Sequence, residues 1–318
     1  MEQNRLLYVY KKHLNADLFV NLQYKFGNSI IMIGLKTINE DLMYRVLSVP
    51  TYTGKEHRMI EFLMDYARDK GYDGGIDEKG NVYMCKGAPP DGRYYPCVTA
   101  HMDTVQYEQI PFIEAGKPIP LVTEEIKGKH RVYAEDFGLG GDDKAGIVIA
   151  LTILDKLPVC KAVFFVEEEA GCCGSQKAEL AWFKDAGYVI AFDSPEGNCA
   201  SWSCSGECLF DRAFYETYLV ELGEKYGLTK YVAHPYTDVM VLRIDTALMC
   251  MNFGAGYYKY QTPSEYCIAE EMDNAAAMGL YLINRLGYKE YVFPYTPKSP
   301  YEKDENYDYF SKLFMNNE

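Results

Sequence analysis

Short apolar bursts recur along the chain, and several of them end on a polar residue. Lys161-Ala162-Val163-Phe164-Phe165-Val166 runs directly into Glu167, Glu168 and Glu169. Tyr188-Val189-Ile190-Ala191-Phe192 ends at Asp193, and Tyr95-Pro96-Cys97-Val98-Thr99 leads to Ala100-His101-Met102-Asp103. Runs of this length, bounded by turn residues, predict buried strands. Ala247-Leu248-Met249-Cys250-Met251 predicts another strand before Gly254-Ala255-Gly256, and Val82-Tyr83-Met84 one after the turn Asp77-Glu78-Lys79-Gly80-Asn81. Between these bursts the spacing turns helical. Ile60, Leu63, Met64 and Ala67 share one face, after a loop at Thr53-Gly54-Lys55-Glu56. Further helices are predicted after Gly140-Gly141 to about Leu154, from about Gln176 to Asp185, and from Ser264 to about Leu286.

Strands that alternate with helices predict an α/β fold: a mixed, largely parallel sheet flanked by helices on both faces, in a single domain. Residues 106–136 are rich in Pro, Gly and Glu and predict a loop or hairpin excursion. Leu18-Phe19-Val20 and Ile30-Ile31-Met32-Ile33 predict an appended hairpin, so residues 1–40 read as an appendage on a main domain, 41–318. The tail from Lys289, with its Pro, Tyr and charged residues, predicts a surface wrap.

The order of polar residues matters more than any one of them. In open α/β sheets ligands gather beyond the carboxyl ends of the strands. His101, Glu168, Glu169 and Asp193 each stand just past such an end, so one sheet would bring them to one rim. Asp142 and Asp143 follow a glycine turn and open the apolar run Ile147-Val148-Ile149-Ala150-Leu151. Carboxylates there are costly to desolvate unless a cation or hydrogen-bond donors meet them.

Each residue also has a plain structural reading. His101 suits a solvated strand end, Asp142 a helix N-cap, the Glu run an exposed acidic turn, and Asp193 a turn before Ser194-Pro195. The Glu run, however, closes a buried strand and is followed by glycine and cysteines. A carboxylate on a metal beside a free one is what metal-assisted hydrolysis requires. A metal-bound His101 would want Asp103 on its other ring nitrogen.

Composition narrows the partners. A net charge of −14 over 318 residues argues against nucleic acid or an anionic membrane as partner, since either would need a basic face. No apolar run approaches a membrane span, and the first residues lack the basic and apolar regions of a signal peptide. The ten cysteines then read as reduced thiols in core and loops, and the expected location is cytoplasmic. Cys199, Cys204 and Cys208 lack the paired spacing of a zinc site, which stays as the alternative for them.

The ordered set His101-x-Asp103, Gly141-Asp142-Asp143-Lys144-x-Gly146, Glu168-Glu169-x-Gly171, Asp193 and Thr262-Pro263-x-Glu265 resembles the co-catalytic zinc exopeptidases. That group includes peptidase T, the carboxypeptidase G and dipeptidase relatives, and the glutamyl and leucine-type aminopeptidases. The likeness spans about residues 41–286 and includes Val49-Pro50-x-x-x-Gly54-Lys55-Glu56 and Asp77-x-x-Gly80-Asn81. It implies the phosphorylase/hydrolase-like fold and hydrolysis of a peptide or small amide by an aminopeptidase or dipeptidase. It also implies zinc, as one or two ions. His101, Asp142 and Asp193 would hold one zinc, Asp142 and Glu169 the second, with Glu168 as general base and Asp103 behind His101. A cis peptide between Asp142 and Asp143 is implied as well.

Two departures stand out. Only residues 194–260 separate Asp193 from the last ligand position, which implies that no lid or dimerisation domain is inserted; Tyr236-Thr237-Asp238 matches a short motif near the rim. That last position holds Gln261-Thr262-Pro263 where the family has His-Thr-Pro. A glutamine carbonyl is a poorer zinc ligand than imidazole, so the second ion is expected to bind weakly. The alternative is a single-metal or non-catalytic homologue that binds a peptide or partner.

Overall fold

A computed structural model describes residues 6–8, 33–106, 116–135, 137–234, 236–294 and 304–315. The chain enters with a short strand, β1 (Leu6–Tyr8), and two helices, α1 (Glu40–Leu47) and α2 (His57–Lys70). A hairpin follows, β2 (Asp73–Ile76) and β3 (Val82–Lys86), and then β4 (Tyr95–His101). The expected excursion is the hairpin β5 (Leu121–Ile126) and β6 (Lys129–Ala134). Helix α3 (Gly141–Lys156) leads into β7 (Cys160–Phe165), β8 (Ala186–Ser194), β9 (Cys199–Cys204) and β10 (Glu207–Cys208). After helical turns come β11 (Lys230–His234), α4 (Asp238–Thr246), β12 (Cys250–Gly254), β13 (Tyr257–Tyr258), β14 (Tyr266–Ile268), α5 (Ala269–Leu286) and α6 (Glu305–Phe314).

The main sheet has the order β10-β9-β12-β8-β4-β7-β3-β2, with β11 paired to β9. Its centre, β12-β8-β4-β7, is parallel; β9 and β10 on one side and β3 and β2 on the other join antiparallel, and β11 runs parallel to β9. It is the mixed, largely parallel sheet flanked by helices that the alternation predicted. Parallel strands of this kind are buried on both faces, and every residue of β7 is buried. Helix α3 is apolar all round, with Ile147, Val148, Ile149, Ala150 and Leu151 fully buried. Such a helix belongs at the centre of a fold. It lies against β4 and β8 and beneath α1 and α5.

A second sheet, β1-β5-β6-β14-β13, is antiparallel. The excursion is therefore tied to the β13–β14 hairpin, through pairs such as Tyr133 with Tyr266. That hairpin carries Gln261 at its tip. Residues 18–20 and 30–32 lie outside the described residues, and Ile33 is not in a strand.

Four expectations are corrected. No continuous helix covers Gln176–Asp185; two short 3-10 turns, Ser175–Lys177 and Leu180–Phe183, stand there. Tertiary partners occupy the backbone instead, as the Glu179 amide donates to the Tyr83 hydroxyl and the Trp182 carbonyl accepts from Lys161 Nζ. The helix expected from Ser264 starts at Ala269, because Tyr266–Ile268 pairs with β6. The strand expected at Ala247 starts at Cys250, since Ala247 closes α4 in the left-handed region (φ 60°). The described part of the tail, residues 289–294 and 304–315, is more than a surface wrap. Phe310 of α6 is fully buried, among Trp202, Phe210, Tyr215 and Phe314. The ten cysteines stand as thiols, as expected. No described helix is long and apolar enough to cross a membrane.

Truncating Phe310 removes the ring that joins α6 to the sheet. Phe310→Ala is expected to cost about 3–5 kcal/mol, read as a lower urea midpoint with unchanged slope. A change below about 1 kcal/mol would mean that α6 does not belong to the cooperative core.

Candidate metal centre

The carboxyl ends of β4, β7 and β8 open at one rim, and the predicted residues meet there. His101 is the last residue of β4 and is buried. Its Nδ1 lies 3.0 Å from the Asp103 carbonyl oxygen and 3.3 Å from Asp103 Oδ1. A proton on Nδ1 is satisfied there, which leaves Nε2 to face outward as a lone pair. Nε2 is 3.3 Å from Asp142 Oδ1 and 3.5 Å from Asp193 Oδ1.

Asp142 reaches this point because the turn before α3 is held from several sides. Gly140 adopts φ 70°, a left-handed conformation that glycine takes without a Cβ clash. Glu265, from the loop before β14, accepts the Gly140 and Asp142 amides at 2.5 and 3.0 Å. The Asp142–Asp143 peptide is cis, as the likeness implied. Asp142 is not an N-cap: both aspartates have non-helical backbone angles, and Gly140 holds the cap position. Asp143 commits both its oxygens to the backbone, accepting the amides of His101 and Gly146 at 3.2 and 3.0 Å. A Cβ on residue 146 would stand 2.2 Å from Asp143 Oδ1, which accounts for the glycine. Lys144 is buried and binds the Leu47 and Val49 carbonyls, tying the turn to the end of α1.

The acidic run after β7 is not a solvated turn. Asp103 accepts the Glu168 amide at 2.9 Å, the Glu169 amide at 3.1 Å and the Thr53 hydroxyl at 3.0 Å. One carboxylate thus orients both the imidazole and the two glutamates. Glu168 Oε1 lies 3.4 Å from the Cys172 thiol. Asp193 accepts the Thr237 hydroxyl at 3.1 Å, and Asn252 grips the Asp193 amide and carbonyl at 2.8 and 3.0 Å. Gln261 also arrives, but with its amide nitrogen forward. Nε2 is 2.8 and 3.0 Å from the two oxygens of Glu169 and 3.4 Å from Asp142 Oδ2.

The seven residues His101, Asp103, Asp142, Glu168, Glu169, Asp193 and Gln261 therefore share one site. The clamp by Glu265 and the grip by Asn252 were not read from the sequence. Asn252 did leave a signal, a polar residue inside the apolar run Met251-Asn252-Phe253. Thr237 belongs to the rim motif singled out above.

Burial raises the carboxyls of Glu168 and Glu169, and neighbouring carboxylates raise them further against the opposing pull of His101. Desolvation likewise lifts Asp142, Asp143 and Asp238, and takes Glu265 to about 7. Burial alone would lower His101, but Asp103, Asp142 and Asp193 outweigh it and raise it. Asp103 moves down: burial opposes this, but His101 and the two glutamate amides prevail. A rim with this excess of buried carboxylate needs positive charge.

The donor set decides where that charge fits. One imidazole nitrogen and two carboxylate oxygens suit zinc and related divalent ions. Ligands about 2.0–2.2 Å from a tetrahedral ion lie roughly 3.3–3.6 Å apart, which the separations of 3.3 and 3.5 Å around His101 Nε2 match. Ligand atoms of His101, Asp142 and Glu169, and of His101, Asp143 and Asp193, lie within 4.8 Å of one another. Between Glu169 and Asp142 Oδ2 the fit fails, because a hydrogen-bond donor points into that position.

No family profile matches the chain. It is 26% identical over 172 residues to the cytosol non-specific dipeptidase of Escherichia coli, covering 52% of this chain and 35% of that protein. The chain thus spans about a third of the length of that curated relative. The fold is similar to a tripeptidase from Staphylococcus aureus, with TM-score 0.61 at 14% identity over 79% of this chain and 99% of that one. It is similar to the aminopeptidase PepT from Bacillus cereus, with TM-score 0.61 at 16% identity over 79% and 100% of the two chains. At these identities the solved structures bear on the fold.

The raised carboxyls set the sign of a pH dependence. A carboxyl lifted in the folded state contributes stability below its ordinary value of 4.5, and that contribution is lost as pH rises through the folded value, about 7 for Glu265. His101, also raised, acts in the same direction. With chelator present, Tm is expected to fall as pH rises from about 5 through 7, more steeply than with saturating zinc. Differential scanning fluorimetry checks this, and parallel curves with and without zinc would refute it.

Proposed function

We propose that the chain is a metal-dependent hydrolase of peptide bonds, an exopeptidase of the aminopeptidase or dipeptidase type. One observation carries this: the convergence of His101 Nε2, Asp142 and Asp193, with the unligated carboxyl of Glu168 at the same rim. The dipeptidase, tripeptidase and aminopeptidase named among the similar proteins support the substrate class.

His101, Asp142 and Asp193 would hold a zinc ion, which when bound supplies Lewis acidity toward the scissile carbonyl. Glu168 takes the proton of the attacking water and delivers it to the leaving amine. Burial raises its carboxyl, and the positive charge of a bound ion would draw it back toward the range in which a carboxylate accepts a proton and returns it. Asp103 keeps the imidazole in one tautomer and holds the backbone of Glu168, so ligand and base move as one unit. Residues 41–318 form the catalytic unit. The absence of an inserted lid is supported by residues 194–234 and 236–260, whose strands β9–β12 join the main sheet. A cytoplasmic location is supported by the ten thiols.

The second reading, a peptide-binding protein without turnover, draws on Gln261, which stands where the family has its last histidine. Glu168→Gln separates the two. For the hydrolase, kcat on a di- and tripeptide panel is expected to fall by about 10²–10⁴-fold with zinc content unchanged. Undiminished turnover would refute the role of Glu168; no turnover by the zinc-loaded parent protein would favour the binder.

A further inference from the structure

We propose that the carboxamide of Gln261 takes the place of a second cation, so that the chain binds one tight divalent ion and Asp142 does not bridge two. The inference rests on the metal-dependent reading above and concerns the other half of the same rim. An amide nitrogen carries two protons, and here each finds a carboxylate. Nε2 donates to Glu169 at 2.8 and 3.0 Å and to Asp142 Oδ2 at 3.4 Å. An ion shared by those two carboxylates would need the space that the amide fills. The amide brings partial positive charge to the same oxygens, which supports them out of water without a metal.

The amide is held there by its loop. Gln261 sits at φ 55° and Lys259 at φ 50°, a region that residues with a side chain enter uncommonly. The Thr262 hydroxyl binds the Lys259 carbonyl at 2.6 Å, and the Ser264 amide binds that hydroxyl at 3.3 Å. The Glu265 amide reaches the Thr262 carbonyl at 3.1 Å, while its side chain clamps the Asp142 turn. The loop that carries Gln261 and the turn that carries Asp142 are thus one hydrogen-bonded unit. Glu169, in this arrangement, is a partner of Gln261 and not a ligand. The two sides of Asp142 differ accordingly, with Oδ1 toward the imidazole and Oδ2 toward the amide.

The test counts ions. Metal-free protein is titrated with zinc against a chromophoric chelator, and zinc retained after gel filtration is measured by elemental analysis. One equivalent per chain is expected, and two for Gln261→His. Glu169→Gln leaves the ligands of the single ion intact, so its zinc affinity should stay within about threefold of the parent. A ten-fold or greater loss would make Glu169 a ligand and overturn the inference, whether or not Gln261→His folds. Two tight equivalents in the parent protein would also overturn it and leave the hydrolase reading standing. No tight zinc would sink both. One equivalent without peptide turnover would uphold the inference and remove the hydrolase reading.

Discussion

The desolvation of carboxylates around one imidazole governs the rest of the structure. Asp103, Asp142 and Asp143 are buried beside His101, with Glu168, Glu169 and Asp193 close to the surface of the same cleft. In water these groups would be charged and mutually repelled; drawn inward, each needs a donor or a cation. Most of the local architecture supplies such partners. Backbone amides of Glu168 and Glu169 serve Asp103, those of His101 and Gly146 serve Asp143, and the Gln261 amide serves Glu169. What remains, between Nε2 of His101 and the facing oxygens of Asp142 and Asp193, is a set of acceptors that calls for a cation.

The scaffold makes this arrangement rigid. Three adjacent parallel strands end at one level, so residues far apart in sequence reach the rim without long loops. Helix α3 lies buried beneath them, and its first turn cannot shift without disturbing β4, β8 and α5. The smaller sheet closes the site from the other side. Its β13–β14 hairpin presses Glu265 onto the Asp142 turn and places Gln261 over Glu169. The two sheets therefore contribute different halves of the site: His101, Asp193 and the base come from strand ends of the large one, Asp142 from the helix packed on it, and the clamp and amide from the small one.

Much of this was legible in the chain. The apolar strands β4, β7 and β8 are continuous runs, and a polar residue just beyond each marks the rim. Gly140-Gly141 reads as a turn before the apolar run, whereas the reason for Gly146, the folded-back Asp143 carboxylate, shows only in the structure. The misread stretches share a cause. Gln176–Asp185, Ser264–Ile268 and Ala247–Met249 have ambiguous local patterns, and backbone bonds to distant partners, Tyr83, β6 and Tyr291, settled them. The embedding of α6 is likewise invisible locally, because its partners Trp202 and Phe210 lie about a hundred residues earlier.

The sequence by itself determined which chemistry is available. It placed one histidine and a series of carboxylates at strand ends, put glutamine at position 261, and supplied the apolar runs that force parallel pairing. Local pattern and residue type are enough for that, since both act over a few residues. Only the tertiary structure decided how the carboxylates are shared out: Asp143 turned to the backbone, Asp103 spanning ring and acidic turn, and Gln261 donating where a ligand was expected. Those assignments depend on which groups meet across two sheets and on what each must satisfy once water is gone.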